Sequence, residues 1–206
     1  LSTAKEMQLF SSGRVKEKSI TAEVCIHHLW FDEKDYKIQG NLIKWNPSVK
    51  TAKDKEALWE ALLQDKIDII STDHAPHTLE EKSKPYPEAP SGGPMIQHSL
   101  TAMLEMSKKN IIPIEKVIQK MCHAPADLFR INRRGYIREG YFADLVLVNP
   151  NKTWMVSEKN ILYKCGWSPF EGFEFSNKVV STFVNGQEVF SNGDINNTIK
   201  GRRLNF

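Results

Sequence analysis

Residues 67–78 constrain the fold of this chain most strongly, because a short apolar run ends there abruptly in polar side chains. The stretch begins IDII, and β-branched residues in such a run are typical of a strand buried on both faces. Asp73, His74 and His77 follow it closely, and Pro76 ends the strand. A carboxylate and two imidazoles at the carboxyl end of a buried parallel strand predict the active centre of a barrel enzyme. The alternative is an ordinary strand end with solvated surface histidines.

Composition excludes several classes of protein. The 206 residues are 40% hydrophobic and 26% charged, which is typical of a globular chain with one domain of ordinary size and a small second one. A net charge of +3 is too small to indicate nucleic-acid binding. No apolar run reaches the roughly 20 residues of a membrane helix. The cysteines, Cys25, Cys122 and Cys165, form no CxxC motif, so we expect reduced thiols and a cytoplasmic location rather than a disulfide scaffold or a cysteine zinc site.

The first third of the chain predicts a parallel βαβ unit. Apolar and polar residues alternate over residues 20–27, which predicts a strand followed by His27 and His28. We expect these histidines to be packing residues on opposite sides of the strand. Residues 51–66 predict an amphipathic helix that returns the chain to the strand at residue 67. A further helix is expected at residues 3–11, after a capping box.

Two long loops flank this unit. In the aromatic-rich loop at residues 29–50, Asn46 precedes a proline. Its amide can both donate and accept hydrogen bonds, which suits ligand recognition; the alternative is a plain turn. Residues 79–94 are rich in charge and proline, so no regular element is expected. Gly92 in this second loop would let the backbone approach a ligand closely, and the alternative is a flexible surface loop.

The remainder of the chain divides into helices and then strands. Helices are predicted at residues 95–107, 113–122 and 125–129, and their histidines, His98 and His123, are interpreted as structural. From residue 136 the pattern changes to short strands, with a hairpin at Asn185-Gly186. We therefore expect two domains, residues 1–135 and residues 136–206.

Four stretches together resemble the dihydroorotases, zinc-dependent (β/α)8 barrels of the amidohydrolase superfamily. Residues 71–77 read STDHAPH and residues 90–93 read PSGG, as in the eighth-strand segment of that family. The similarity extends to residues 21–29 (TAEVCIHHL), to the KWNP sequence that contains Asn46, and to residues 140–148 (GYFADLVLV). The implied fold is α/β: strands seven and eight of a TIM barrel with their flanking helices, followed by a small β domain.

The resemblance implies a reaction and a set of site residues. The reaction is the reversible hydrolysis of (S)-dihydroorotate to N-carbamoyl-L-aspartate in pyrimidine biosynthesis, with two zinc ions per active site. Asp73 is then a metal ligand and the catalytic proton shuttle. Asn46, His77 and the Ser91-Gly92 backbone bind the substrate, and His77 pairs with its carboxylate. The expected partner is this small molecule, with no nucleic acid and no membrane, and we expect the protein to form a homo-oligomer.

The chain departs from the family in its metal ligands. The histidine pair of strand one, the bridging carboxylate of strand four and the histidines of strands five and six have no counterpart, and Asp73 alone cannot hold two zinc ions. The chain opens on a helix start at Leu1-Ser2-Thr3, so we expect it to be the C-terminal part of a longer enzyme, inactive by itself. Two alternatives stay open: another cyclic-amide hydrolase, such as an allantoinase or hydantoinase, and a non-catalytic dihydroorotase-like subunit.

Overall fold

The computed structural model describes residues 1–206 as a mixed α/β chain. Helices and 3-10 turns predominate in the first 130 residues, and six of the eight strands lie in the remainder of the chain. The strands are β1 (Glu23–Cys25), β2 (Ile69–Ser71), β3 (Leu145–Asn149), β4 (Trp154–Met155), β5 (Glu174–Phe175), β6 (Lys178–Val184), β7 (Gln187–Ser191) and β8 (Asp194–Ile195).

Seven α-helices accompany these strands. They are α1 (Ile26–Trp30), α2 (Tyr36–Gln39), α3 (Ala52–Leu63), α4 (Leu79–Lys82), α5 (Ser99–Lys108), α6 (Ile114–Ile118) and α7 (Ala124–Leu128). A π-helical segment, Gln119–His123, joins α6 to α7, and 3-10 turns lie at Ala4–Leu9, Val15–Glu17, Glu33–Asp35, Gly40–Ile43, Ile96–His98 and Glu158–Asn160. No helix is long and apolar enough to cross a bilayer.

The predicted βαβ unit is confirmed. Strands β1 and β2 pair in parallel, with Glu23 opposite Ile69 and Cys25 opposite Ser71, and α3 lies on the connection between them. Helix α3 begins directly after Thr51, whose hydroxyl accepts the Asp54 N–H, and it ends at Leu63, three residues before the predicted end at residue 66. The carboxyl ends of β1 and β2 therefore lie side by side at one edge of the chain.

The predicted strand at residues 20–27 is too long at both ends. Ile20 is 69% exposed, and β1 covers only Glu23–Cys25 because the chain turns directly into α1. The expectation that His27 and His28 point to opposite sides of a strand is wrong for the same reason. Both imidazoles are buried on α1, and their ring centroids lie 4.2 Å apart.

One hydrophobic core underlies the two parallel strands and the helices around them. Leu58 and Leu62 of α3, Ile67 before β2 and Met103 of α5 are all nearly inaccessible to solvent within it. Trp30 extends this core towards the β-rich part through edge contacts with the rings of Phe170 and Phe173 and a tilted contact with that of Phe175. Aromatic contacts of this kind fix the orientation of the elements that they join.

The β-rich part forms a four-stranded antiparallel sheet in the order β3-β6-β7-β8 and a separate β4-β5 pair. The predicted hairpin is confirmed, because Asn185 and Gly186 both have positive φ angles, 52° and 79°, as a type I′ turn requires. Strand β3 lies at an edge of the sheet, where Val146 and Leu147 are about half exposed.

Candidate active site

Asp73 lies at the carboxyl edge of the two parallel strands. It follows the end of β2 by two residues, its side chain is exposed, and its φ angle of 45° turns the chain sharply away from the strand. Across the edge, the Cys25 thiol at the end of β1 lies 3.2 Å from the Ser71 hydroxyl. Burial raises the pKa of Cys25, and the nearby Asp73 carboxylate raises it further. The exposed carboxylate is free to bind a ligand.

His77 is tied to both neighbouring segments. Its Nε2 lies 3.1 Å from the Ser91 carbonyl, and its own backbone carbonyl accepts the Trp167 indole N–H at 2.7 Å. The ring is partly exposed, and Nδ1 lies 3.7 Å from the Glu81 carboxylate. Trp167 is itself buried, with 1% of its surface exposed, so residue 167 packs firmly against the loop of His77.

Gly92 packs against the loop that carries His77. It has a φ angle of 119°, and a Cβ placed on it would lie 2.5 Å from the carbonyl oxygen of Ala75. Only glycine tolerates both the angle and the contact. The Gly92 N–H donates to the Lys44 carbonyl at 2.9 Å, so the close approach of this backbone is to the protein itself.

Asn46 is exposed beside this loop, and the residues on either side of it are held by α1. The Trp45 ring stacks on the His27 imidazole with centroids 4.3 Å apart and planes within 2°. The Pro47 carbonyl lies 3.0 Å from Nε2 of His28. The two histidines interpreted as packing residues therefore also set the position of the Asn46 turn, a role that no spacing in the sequence indicates.

His74 contacts the backbone that follows the glycine pair. Its Nδ1 accepts the Met95 N–H at 3.1 Å, which leaves the ring proton on Nε2. His74 also pairs with Gly93 as an isolated parallel bridge, so the loop after β2 and residues 93–95 run side by side. The structure thus brings Asp73, His77, Ser91, Gly92 and Asn46 to one edge, around three loops.

A second cluster of potential metal ligands lies below this edge. The donor atoms of Cys25, His27 and His28 all lie within 4.8 Å of one another. Both ring nitrogens of His27 and Nδ1 of His28 are buried without a hydrogen-bond partner. Burial lowers the pKa of His27 to about 2 and also lowers that of His28, so both imidazoles are neutral at pH 7. Neutral imidazoles beside a thiol are a donor set that zinc accepts. The sequence pattern did not predict this cluster, although Cys25, His27 and His28 lie within four positions of one another.

His98 is a buried residue that lies beneath the loop of His74. It is fully buried in front of α5, its Nδ1 lies 3.1 Å from the Ser168 hydroxyl, and its Nε2 has no partner. Tyr163 bridges upwards, since its ring lies 5.3 Å from that of His74 and its hydroxyl accepts the Gln97 N–H at 2.8 Å. The structural interpretation of His98 agrees with these contacts.

A half-open cleft of about 500 Å³ lies between α5 and the four-stranded sheet, and it includes none of the predicted site residues. At the carboxyl edge of β1 and β2, the side chains of Asp73 and Asn46 are exposed.

The chain matches a known protein family, and two of its relatives in sequence are dihydroorotases. A family model described as the amidohydrolase family matches residues 10–189. The dihydroorotase of Pyrococcus furiosus is 32% identical over 205 residues, which are 99% of this chain and 47% of that protein. The dihydroorotase of Clostridioides difficile is 36% identical over 174 residues, which are 84% of this chain and 41% of that protein.

Solved structures give the same picture of coverage. The L-hydantoinase (dihydropyrimidinase) of Arthrobacter aurescens superposes with a TM-score of 0.87 at 27% identity, over 95% of this chain and 44% of that one. A D-hydantoinase superposes with a TM-score of 0.81 at 21% identity over the same shares, which shows a common fold. The chain spans about half the length of the curated relatives that it matches.

The buried imidazole of His98 predicts a loss of stability in acid. Burial lowers the pKa of His98 to about 4, whereas in the unfolded chain its pKa is near 6.5. Between these values the unfolded state binds the extra proton, so the free energy of unfolding falls as the pH drops from 6.5 to 4, by at most about 3 kcal/mol. In urea unfolding, the free energy of unfolding of His98→Gln should change less steeply with pH than that of the parent in this window, and equally steeply above pH 7. An equal dependence on pH at all pH values would contradict the assignment.

Proposed function

The chain belongs to the amidohydrolase family, and we propose that the protein of which it forms the described part hydrolyses the amide bond of a six-membered cyclic amide, as a dihydroorotase does. The specific reaction is the reversible conversion of (S)-dihydroorotate to N-carbamoyl-L-aspartate, a step of pyrimidine biosynthesis. The observation that carries the proposal is the convergence of an exposed Asp73 with the loops of Asn46 and Ser91 at the carboxyl edge of parallel strands. Enzymes with parallel strands hold their chemistry at this edge.

Asp73 suits a zinc ligand. Its carboxylate is exposed at the strand end, and carboxylate oxygen is among the ligands that zinc accepts. A zinc site takes three or four protein ligands, so Asp73 would be one ligand of one zinc and the remaining ligands would come from outside these 206 residues. When bound, zinc supplies a water whose pKa is lowered to about 7. We therefore propose that these 206 residues alone are inactive.

Proton transfer is the role proposed for Asp73 in the reaction. The attacking water oxygen forms a bond to the ring carbonyl carbon, and the bond from that carbon to the ring nitrogen breaks. Asp73 takes the proton that the water loses and delivers it to the departing nitrogen. An exposed carboxylate on a sharp turn, without a neighbouring cation to hold it, is able to reach both atoms in turn.

The substrate is oriented by the surrounding loops. The Asn46 amide carries both a donor and an acceptor, which matches the N–H and C=O pair of a cyclic amide. A ring N–H of His77 would pair with the substrate carboxylate after leaving the Ser91 carbonyl that it faces here. The Ser91-Gly92 backbone would line the ring; because the Gly92 N–H is already used by Lys44, we assign the direct N–H contact to Ser91.

A hydantoinase-type activity is the second candidate. The hydantoinase of Arthrobacter aurescens shares 27% identity and a closely similar fold over 95% of this chain, which favours a cyclic amide without a carboxylate. The STDHAPH segment with His77 argues for the carboxylate-bearing ring instead. A dihydropyrimidine ring differs from dihydroorotate only in lacking the carboxylate, so a matched pair of six-membered substrates distinguishes the two candidates.

The same proposal includes the domain organisation, the oligomeric state and the location of the protein. Strands β1 and β2 would be strands seven and eight of a (β/α)8 barrel within residues 1–135, and residues 136–206 would form the small β domain. The half-exposed apolar residues of edge strand β3 favour a contact with another segment of the same protein or with a second copy of it. We propose the second case, a homo-oligomer. A small-molecule substrate and a cytoplasmic location, with no nucleic-acid or membrane partner, complete the proposed setting.

Replacement of the carboxylate should abolish turnover. In the protein expressed from its complete coding sequence with zinc present, Asp73→Asn should lower kcat for dihydroorotate by at least about a hundredfold, because an amide can neither carry the proton nor bind zinc as a carboxylate does. Ring opening is followed by absorbance. Asp194→Asn, an exposed position on β8, is the control and should retain the parent rate. A zinc-loaded, folded parent that leaves dihydroorotate intact would refute the proposal.

The carboxylate partner can be tested with two rings. Dihydroorotate and dihydrouracil differ only by the carboxylate, so His77→Gln should lower kcat/KM for dihydroorotate by about ten- to a hundredfold, the value of a charged hydrogen bond, and change that for dihydrouracil little. His123→Gln on the π-helical segment is the control. A parent protein that prefers dihydrouracil would favour the hydantoinase candidate. An unchanged KM for dihydroorotate in His77→Gln would show that His77 does not bind the carboxylate.

A further inference from the structure

Lys82 is a buried cation within a segment of charged residues. It is the last residue of α4, and it is only 2% exposed although the residues on either side are much more accessible. Its ammonium donates to three backbone carbonyls: those of Gly92 at 2.8 Å, Pro90 at 3.0 Å and Lys44 at 3.3 Å. All three N–H groups of the ammonium are thereby matched by acceptors, and no carboxylate takes part.

The three acceptors lie on both loops of the candidate site. Pro90 and Gly92 flank Ser91, and Lys44 stands two residues before Asn46. The Lys44 carbonyl accepts a second bond from the Gly92 N–H, so it is shared by the ammonium and the opposite loop. Lys82 therefore occupies the junction where the Asn46 loop meets the Ser91 loop.

Further bonds close the same junction from outside. The Lys44 ammonium donates to the carbonyls of Tyr86 and Ala89, and the Asn41 amide donates to those of Lys82 and Lys84. Burial lowers the pKa of Lys82 to about 8, and the Lys44 charge acts in the same direction. The ammonium form thus still predominates at pH 7, with the three donors that the junction requires.

We propose that Lys82 is a positioning residue that fixes the spacing between the Asn46 loop and the Ser91-Gly92 loop, so that both contact one substrate ring. The proposal rests on the proposed function, since it assigns those loops to substrate. Lys82 touches no reacting atom in this arrangement. Its carbonyl acceptors belong to loops rather than to the hydrophobic core, so the loss of the ammonium should loosen the site more than the fold.

The test replaces the ammonium by an apolar chain of similar length. In the full-length protein, Lys82→Met should raise KM for dihydroorotate about tenfold or more, with a smaller change in kcat and the parent's zinc content, because the carbonyls lose their donor and the two loops separate. Lys84→Met, two residues on and exposed, is the matched control and should leave both constants unchanged. Lys82→Arg keeps the charge and the donors and should restore much of the affinity.

Hydrogen exchange measures the same effect without activity. Lys82→Met should speed amide exchange in residues 41–47 and 83–93 and leave α3 and β2 unchanged. Uniformly faster exchange, unchanged exchange, or failure of both the Met and Arg variants to fold would overturn the positioning role. Should the parent fail to open dihydroorotate, the proposed function fails, while the exchange pattern still decides whether Lys82 holds the two loops together.

Discussion

The parallel pairing of β1 with β2 is the constraint on which the rest of the site depends. The register sets Cys25 opposite Ser71, so both strands end at the same level. The residues that follow each strand, His27 after β1 and Asp73 after β2, must then emerge at one edge. Helix α3 enforces the parallel direction, because a connection between parallel strands has to cross back over the sheet.

The loops at this edge are ordered by buried polar groups as much as by apolar packing. His27 and His28 are neutral and desolvated, and they hold the chain on both sides of Asn46 through a ring stack and a carbonyl contact. Lys82 joins that loop to the Ser91-Gly92 loop. A buried polar group without a hydrogen-bond partner lowers stability, whereas one whose hydrogen bonds are all satisfied favours a single arrangement of the chain. In this protein, the buried polar groups fix the arrangement of the loops at the site.

Sequence patterns predicted the elements whose signals are local. The apolar run before Asp73, the capped helix α3 and the Asn185-Gly186 hairpin each carry their own period or turn chemistry, and each is found. The end of β1 was misplaced because alternation continues through residues that adopt the helical turn of α1. The four-residue helix α4, missed within residues 79–94, and the two-residue strand β5 were too short to show a period.

The site residues were predictable only in part, for a physical reason. Asp73 and His77 follow a strand end, and their role is suggested by that position. Lys82 lies in the charged run LEEKSK, and nothing in such a run distinguishes a buried lysine from its solvated neighbours. Its ammonium is held by the Lys44 carbonyl, 38 residues earlier in the chain, and by the Pro90 and Gly92 carbonyls, 8 and 10 residues later.

The most direct test of the central claim is a crystal structure of the full-length protein with N-carbamoyl-L-aspartate and zinc. The claim predicts that the ligand lies at the carboxyl edge of β1 and β2, surrounded by Asn46, His77 and Ser91. It also predicts a distance of about 2.0–2.2 Å between a carboxylate oxygen of Asp73 and a zinc ion. A ligand bound elsewhere, or a metal centre without Asp73, would contradict it.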